Sequence, residues 1–205
     1  RLLSRGLGDV YKRQNQGLAI SLTSGAEICH LVEAARSGDR AAFDALHRRF
    51  AAMVHGIVLA HGPMHEADDL TQRVFLRAYE TLHSLREPER FGGWLATIAR
   101  RMATTGLRER RPQPLRLRDD EVASRDDDTR EEALRLLATI RGLPDAYRET
   151  LILRLVEGLT GPQIAAATGR SHGTVRVNLN RGMKLLREAL GLSDAEVVAN
   201  FRSGK

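Results

Sequence analysis

The sequence predicts an all-α fold: two small helical modules joined by a flexible acidic linker, the C-terminal module containing a helix-turn-helix. Three observations predict it. Apolar residues recur three and four apart from about Ala26 to Arg111 and again from about Arg130 to Leu192. No segment alternates with the period of a strand, and no internal repeat is visible. The stretch between the two patterns turns first to proline, then to dense charge that cannot bury enough apolar area to offset its ordering entropy. The boundaries read from these shifts are a tail over 1–25, a first module over 26–111, a linker over 112–130, a second module over 131–192 and a tail over 193–205.

Residues 1–24 begin without methionine and mix basic, glycine and small residues without a period. They read as an assembly remnant and are set apart from the fold, with a basic native arm carrying Arg1, Arg5, Lys12 and Arg13 as the alternative. A first helix is expected near Ala26 to Ser37. The second opens at Asp39, a good N-cap, and carries Phe43, Leu46, Phe50, Val54 and Ile57 on one face until Gly62-Pro63 stops it. The third, about His65 to Ser84, has Glu66, Asp68 and Asp69 in its first turn, where carboxylates suit the positive end of the helix dipole. Its inward stripe reads as Leu70, Val74, Tyr79 and Leu82, widened by Phe75 and Leu76. After a loop at Glu87-Pro88-Glu89, a fourth helix from about Phe91 to Arg110 turns Trp94, Leu95, Ile98, Met102 and Leu107 inward. Arg100, Arg101, Arg108 and Arg110 are left outward.

The second module offers helices near Glu131 to Arg141, Pro144 to Glu157, Thr160 to Thr168 and Ser171 to Leu190. Pro144 and Pro162 sit at helix starts, where a missing amide hydrogen costs little. Thr160 caps a short helix with Ile164 and Ala165 inward, Gly169 takes the left-handed turn that ends it, and Ser171 caps the next. On that last helix Val175, Leu179, Met183, Leu186 and Leu190 share a side, with Gly182 allowing close approach. Gly173, Thr174, Val177, Asn180, Arg181 and Lys184 fall on the other, with Arg176 at its flank. A helix that enters the major groove needs this division, with short polar or basic residues reaching base edges while cations meet phosphates. An ordinary helical hairpin with a solvated basic side is the bland alternative.

The formal net charge of +6 makes a polyanion the natural partner, nucleic acid or an anionic membrane surface. The single cysteine, Cys29, excludes a disulfide within the chain and suits a reducing, cytoplasmic setting. Apolar runs such as Ala51 to Ala60 fall far short of the roughly 20 residues a membrane-spanning helix needs, so no membrane insertion is expected. Cys29-His30 and the scattered His47, His55, His61 and His65 show no metal-ligand spacing, and no metal or cofactor is expected. Neither a phosphate-binding loop nor a nucleophile, base and carboxylate set can be read, so no catalytic residues are assigned.

Four blocks in order, "GDRAAFDALHRRF", "ADDLTQRVFLRAYETL", "FGGWLATIARRMA" and "LPDAYRETLILRLVEGLTGPQIAAATGRSHGTVRVNLNRGMKLLREAL", resemble the extracytoplasmic-function class of bacterial sigma factors across roughly Ala34 to Leu190. The resemblance implies a dissociable promoter-specificity subunit of RNA polymerase with no catalysis of its own. Its partners would be the core enzyme, at the β′ clamp helices and the β flap, promoter DNA, and the anti-sigma factor that members of the family often have. It implies that the first module docks on the clamp and opens the minus-ten element, with Asp68, Asp69, Gln72 and Arg73 in the polymerase-binding helix and Leu70 and Phe75 as its core. Residues 86–90 correspond to the loop that captures a flipped base, and the helix from Phe91, with Arg100, Arg101 and Arg108, to the one that holds single-stranded DNA. Trp94 is assigned to the core. In the second module the groove contacts fall on Thr174, Arg176, Val177, Asn180 and Arg181, with Lys184 beside them.

The chain departs from the family pattern in places. Arg73 stands where relatives usually carry a carboxylate; Arg101, Thr105 and Gly106 replace an asparagine, an aspartate and an aromatic; Val177 and Asn180 replace a polar residue and an aromatic or histidine. Altered promoter preferences are the expectation. The rival function is a stand-alone helix-turn-helix regulator that binds duplex sites without polymerase. The acidic linker is expected to be a solvated spacer rather than a mask folded over the basic helices.

Overall fold

A computed structural model describes residues 25–109 and 125–191, with side chains for 25–105 and 133–191. Both tails, Arg110 and Arg111, residues 112–124 of the expected linker, and the side chains of Leu107, Arg108 and Asp126 to Asp128 lie outside the described residues. All regular structure among the described residues is helical: α1 Gly25–Arg36, α2 Arg40–His61, α3 Ala67–Thr81, α4 Phe91–Glu109, α5 Arg125–Gly142, α6 Asp145–Leu155, α7 Gly161–Thr168 and α8 His172–Leu190. Short 3₁₀ turns at Met64–Glu66, Leu82–Ser84 and Pro88–Arg90 flank α3 and lead into α4.

Local chemistry sets most boundaries. The Asp39 carboxylate accepts the amide hydrogens of Ala41 and Ala42, two of the donors a helix start leaves without partners. At the other end Gly62 leaves helical geometry and Pro63 cannot continue it. One boundary differs from expectation: α5 starts at Arg125 rather than Glu131, so the charged run at the linker's end is helical. Asp and Glu in a first turn favour a helix through its dipole, which the reading of that run as spacer did not weigh.

The hub is α2, packed against α1, α3, α4 and α6 and touching α7. Its N-terminal half buries one stripe, through Ala42, Leu46 and Phe50, but from Met53 to Ala60 nearly every position is buried. A helix apolar all round must be covered all round. The stripe read from the sequence packs the first module, and the additional face, through Met53, Gly56, Leu59 and Ala60, meets the second. The two modules therefore share one continuous apolar core, into which α5 sends Leu137 and Ile140 and α6 sends Leu151, Ile152 and Leu153.

The inward stripe of α3 is narrower than expected. Leu70, Val74, Phe75 and Leu82 are buried, but Leu76 is 64% exposed and Tyr79 is 46% exposed, its ring edge resting on Phe43. The two fall on the outer side because α2 and α4 cover only one flank of α3.

Candidate nucleic-acid and polymerase interfaces

The helix-turn-helix of α7 and α8 is built by its caps. Gln163 N–H donates to the Thr160 hydroxyl and Thr160 N–H donates to the Gln163 side-chain oxygen at 2.8 Å, a reciprocal box that satisfies two otherwise orphaned amides. Gly169 ends α7 at φ 69°, a left-handed conformation glycine adopts without a side-chain clash. Thr174 N–H then donates to Ser171 Oγ at 3.1 Å, starting α8.

The rotation of α8 follows from what it buries. Val175 and Leu186 are buried, Leu179, Met183 and Leu190 pack against the core, and Gly182 lies so close to α6 that a methyl there would sit 3.1 Å from both Tyr147 Cβ and Leu151 Cδ1. Asn178, not singled out in the sequence, is also buried and donates from Nδ2 to the carbonyl oxygen of Ala146 at 3.0 Å. A polar residue in an otherwise apolar register was the only signal for it.

The opposite face is open. Thr174, Arg176, Val177, Asn180, Arg181 and Lys184 are all exposed. Neither Arg176 nor Arg181 pairs with a carboxylate among the described residues, while Lys184 faces Glu188 at 3.9 Å. Val177, 42% exposed, is an apolar side chain in the middle of this polar face.

A second surface runs along α3, where Asp68, Asp69, Gln72 and Arg73 are exposed beside Leu76. Asp69 and Arg73 approach to 3.9 Å, and Asp68 lies 3.6 Å from His55 Nε2. Leu76 belongs to this surface, a residue that sequence reasoning assigned to the core.

The face expected to hold single-stranded DNA divides differently. Arg101 is exposed, as expected. Arg100 is not free: Nε donates to Glu149 Oε2 at 2.7 Å and Nη2 to Oε1 at 2.9 Å. Glu149 comes from α6 in the second module and is 1% exposed, and it is also met by His61 Nε2 at 3.1 Å and Arg170 Nη2 at 3.3 Å. A buried carboxylate requires such partners, which explains why Arg100 turns toward the second module and not outward. Burial disfavours the charged form of Glu149, but hydrogen bonds from Arg100 and His61 and the charges of Arg100 and Arg170 outweigh it and bring the pKa down to about 2. Trp94 is half-buried, its ring 5.8 Å from Phe91, which in turn packs on Phe50. In the 86–90 loop, Arg90 and Glu87 form an exposed pair at 2.5 Å.

No helix among the described residues is long and apolar enough to cross a membrane. Residues 44–113 match the family model for Sigma-70 region 2, and residues 133–186 match that for Sigma-70, region 4. Over 180 residues the chain is 33% identical to the RNA polymerase sigma factor CarQ of Myxococcus xanthus, an alignment that covers 81% of this chain and 99% of that one. It is 30% identical over 176 residues to the ECF RNA polymerase sigma-E factor of Escherichia coli, covering 78% and 90% of the two chains. Among solved structures, CnrH in complex with the cytosolic domain of CnrY superposes with a TM-score of 0.57 at 26% identity, over 80% of this chain and 97% of that one. Two family regions in the expected order, each on its own helical module, and relatives matched almost end to end lead to one conclusion: the chain belongs to the extracytoplasmic-function family of RNA polymerase sigma factors, the subunits that direct the polymerase to promoters.

Proposed function

We propose that this sigma factor divides its work among three surfaces. The outer face of α8 reads the minus-thirty-five element in the major groove: Arg176 and Arg181 supply two-pronged donors for guanine or phosphate, Asn180 an adenine-type pair, Val177 a cover for a thymine methyl, and Thr174 and Lys184 contact the backbone. The face of α3 with Asp68, Asp69, Gln72, Arg73 and Leu76 docks on the β′ clamp helices, and the second module rests on the β flap. The α4 face, with Arg101 and Arg108, holds the melted minus-ten strand by its phosphates while residues 86–90 receive an extruded base; Arg100, held by Glu149, is left out of that role.

The observation that carries this reading is the pair of exposed arginines, without a carboxylate partner among the described residues, on the polar side of a capped second helix. The subunit works by binding, and the chemistry of RNA synthesis belongs to the core enzyme. The reading brings with it a cytoplasmic site of action, where the polymerase works. CnrH was captured with the cytosolic domain of CnrY, and a regulatory protein partner of that kind is part of the same reading.

Co-elution with purified core polymerase tests it. A stoichiometric complex that binds promoter fragments which neither component binds alone supports the sigma assignment of these surfaces. A chain that binds the same fragments by itself and stays separate from core contradicts it.

A further inference from the structure

We propose that α8 reads a methyl group: Val177, over the gap left by Gly173, receives the C5-methyl of a pyrimidine in the major groove. Thymine and 5-methylcytosine are then bound in preference to uracil and unmethylated cytosine, and methylation of cytosine at C5 changes the set of promoters the subunit selects. The inference rests on the reading of α8 as the helix that enters the groove.

The first observation is that two residues on the open face of α8 serve no purpose in the fold. Val177, 42% exposed, is the only large apolar side chain exposed on α8. It replaces a residue that is usually polar in the family. A single exposed valine is ordinary on a protein surface, and this one is set apart by its neighbour. Gly173, one turn earlier, is exposed too, and a methyl placed on it would meet only Ser171 Oγ, at 3.9 Å. Its backbone is not left-handed, and nothing crowds it as Tyr147 and Leu151 crowd Gly182 in the same helix. Glycine and β-branched residues both weaken a helix. Their place on a face that folding does not need is explained by binding.

The second observation is the shape and charge of what they form. Helical side chains lean toward the N-terminus, which sets Val177 over Gly173 and Thr174. Ser171 Oγ and Thr174 Oγ1 lie 2.8 Å apart, so the helix cap holds the Thr174 side chain at the edge of the gap. The result is a shallow apolar notch, open where glycine has no side chain and walled by a valine whose branched carbon leaves it one favoured rotamer. Arg176 is its chain neighbour and Arg181 stands one turn further on, both exposed, with Lys184 beside them. An apolar notch among exposed cations fits a group that is itself apolar but is carried on a polyanion.

DNA offers one such group in the major groove, the C5-methyl of a pyrimidine. Thymine always carries it, and cytosine carries it once methylated. Unmethylated cytosine presents only its amino donor there, which a valine cannot accept. The two methylated bases differ at C4, an oxygen in one and an amino group in the other, so a notch that touches only the methyl takes both.

The test uses holoenzyme formed from purified core polymerase and the full chain as parent, Val177→Ser or Gly173→Ala. Val177→Ser removes the apolar wall, and Gly173→Ala fills the gap while favouring the helix. Both positions are exposed, and urea midpoints check that each variant is folded. Genomic fragments are amplified with ordinary nucleotides, with deoxyuridine in place of thymidine, or with 5-methyldeoxycytidine in place of deoxycytidine. Fragments that survive a heparin challenge are sequenced and their affinities measured. The parent is expected to bind its ordinary fragments about fourfold more weakly when the methyl at the notch is lost to deoxyuridine, the value of one buried methyl group. Methyls elsewhere in the promoter act on all forms alike, so the loss is compared between parent and variants, and both variants should show less of it. The 5-methylcytosine pool should yield additional fragments with cytosine in place of thymine at one position of the distal element.

A parent that binds ordinary and deoxyuridine DNA equally overturns the methyl reading and leaves α8 standing as the groove helix. The same loss in the parent and both variants overturns the assignment to Val177 and Gly173. An effect confined to thymine overturns the response to cytosine methylation. A holoenzyme that retains no fragment from any pool overturns the reading of α8 itself.

Discussion

Asn178 and Ala146 fix the pitch of the recognition helix: the side-chain amide of the first donates to the backbone carbonyl of the second at 3.0 Å, from the buried side of α8. Apolar packing alone lets a helix roll by part of a turn, but a directional bond does not. Replacing Asn178 with alanine is expected to cost about 1 to 2 kcal/mol of stability, the loss of a buried hydrogen bond. Promoter affinity should fall beyond what the unfolded fraction explains, because Arg176 and Arg181 lose their aim. Urea denaturation beside a promoter-fragment titration separates the two effects.

Arg176 and Arg181 lie on one open face, yet their duties need not match. Truncating either to alanine is expected to weaken promoter binding by about 1 to 3 kcal/mol if it reads a base. A base contact relaxes preference at one position of the element, whereas a phosphate contact weakens all sequences alike and lowers the salt slope by about one ion. Titrations at several salt concentrations against single-position promoter variants assign each arginine. Unchanged affinity for Arg176→Ala removes it from the interface.

The cluster around Glu149 makes stability depend on pH. Its pKa is depressed from 4.5 to about 2, so its contribution is fully present above 4.5 and is lost as pH falls toward 2. The size is on the order of 3 kcal/mol. His55 works in the opposite sense. Burial disfavours its charge, but the hydrogen bond and charge of Glu157, with Asp68, raise its pKa above the ordinary 6.5. Its contribution is therefore present below 6.5 and fades as pH rises through the raised value. Urea midpoints should drop steeply from about pH 5 to about pH 3 in the parent and much less in Glu149→Gln, with a gentler decline on the alkaline side that His55→Gln removes. A parent and a Glu149→Gln variant with parallel acid limbs would exclude the cluster as their origin.

On α3, Leu76 is 64% exposed and makes no demand on the core. Leu76→Ser should leave folding stability within about 0.5 kcal/mol, the usual range for a surface change. Core binding should weaken by about 1 to 2 kcal/mol if the leucine fills an apolar pocket at the docking surface. Arg73→Glu, which restores the charge usual in the family, should hold or improve core affinity. Competition against a labelled sigma subunit for purified core measures both.

What the sequence made legible follows distance along the chain. Asp39, Gly62-Pro63, Thr160, Gly169 and Ser171 mark helix ends through contacts within a few residues, and they stand where the local pattern put them. The outer face of α8 was readable for the same reason, since one helical period sorts buried from open positions. The Glu149 pairing with Arg100 spans 49 residues of chain and the His61 pairing 88, and no local pattern encodes partners so far apart. One signal was present: the run from Met53 to Ala60 is apolar at every position but His55, which implies cover on a second side. Reading only its strongest stripe hid the contact between modules and left Arg100 facing solvent. Leu76 was misassigned because apolar character marks a binding surface as readily as a core.

The most direct test of the central claim, that two helical modules together bring RNA polymerase to promoters, is transcription from a fragmented genomic library by purified core with and without this chain, read as mapped RNA 5′ ends. The account predicts a new set of start sites whose upstream sequences share two elements at a fixed spacing, the distal one altered in its preference by Arg176→Ala or Arg181→Ala. A start-site profile identical to that of core alone, with the folded chain present in excess, would contradict it.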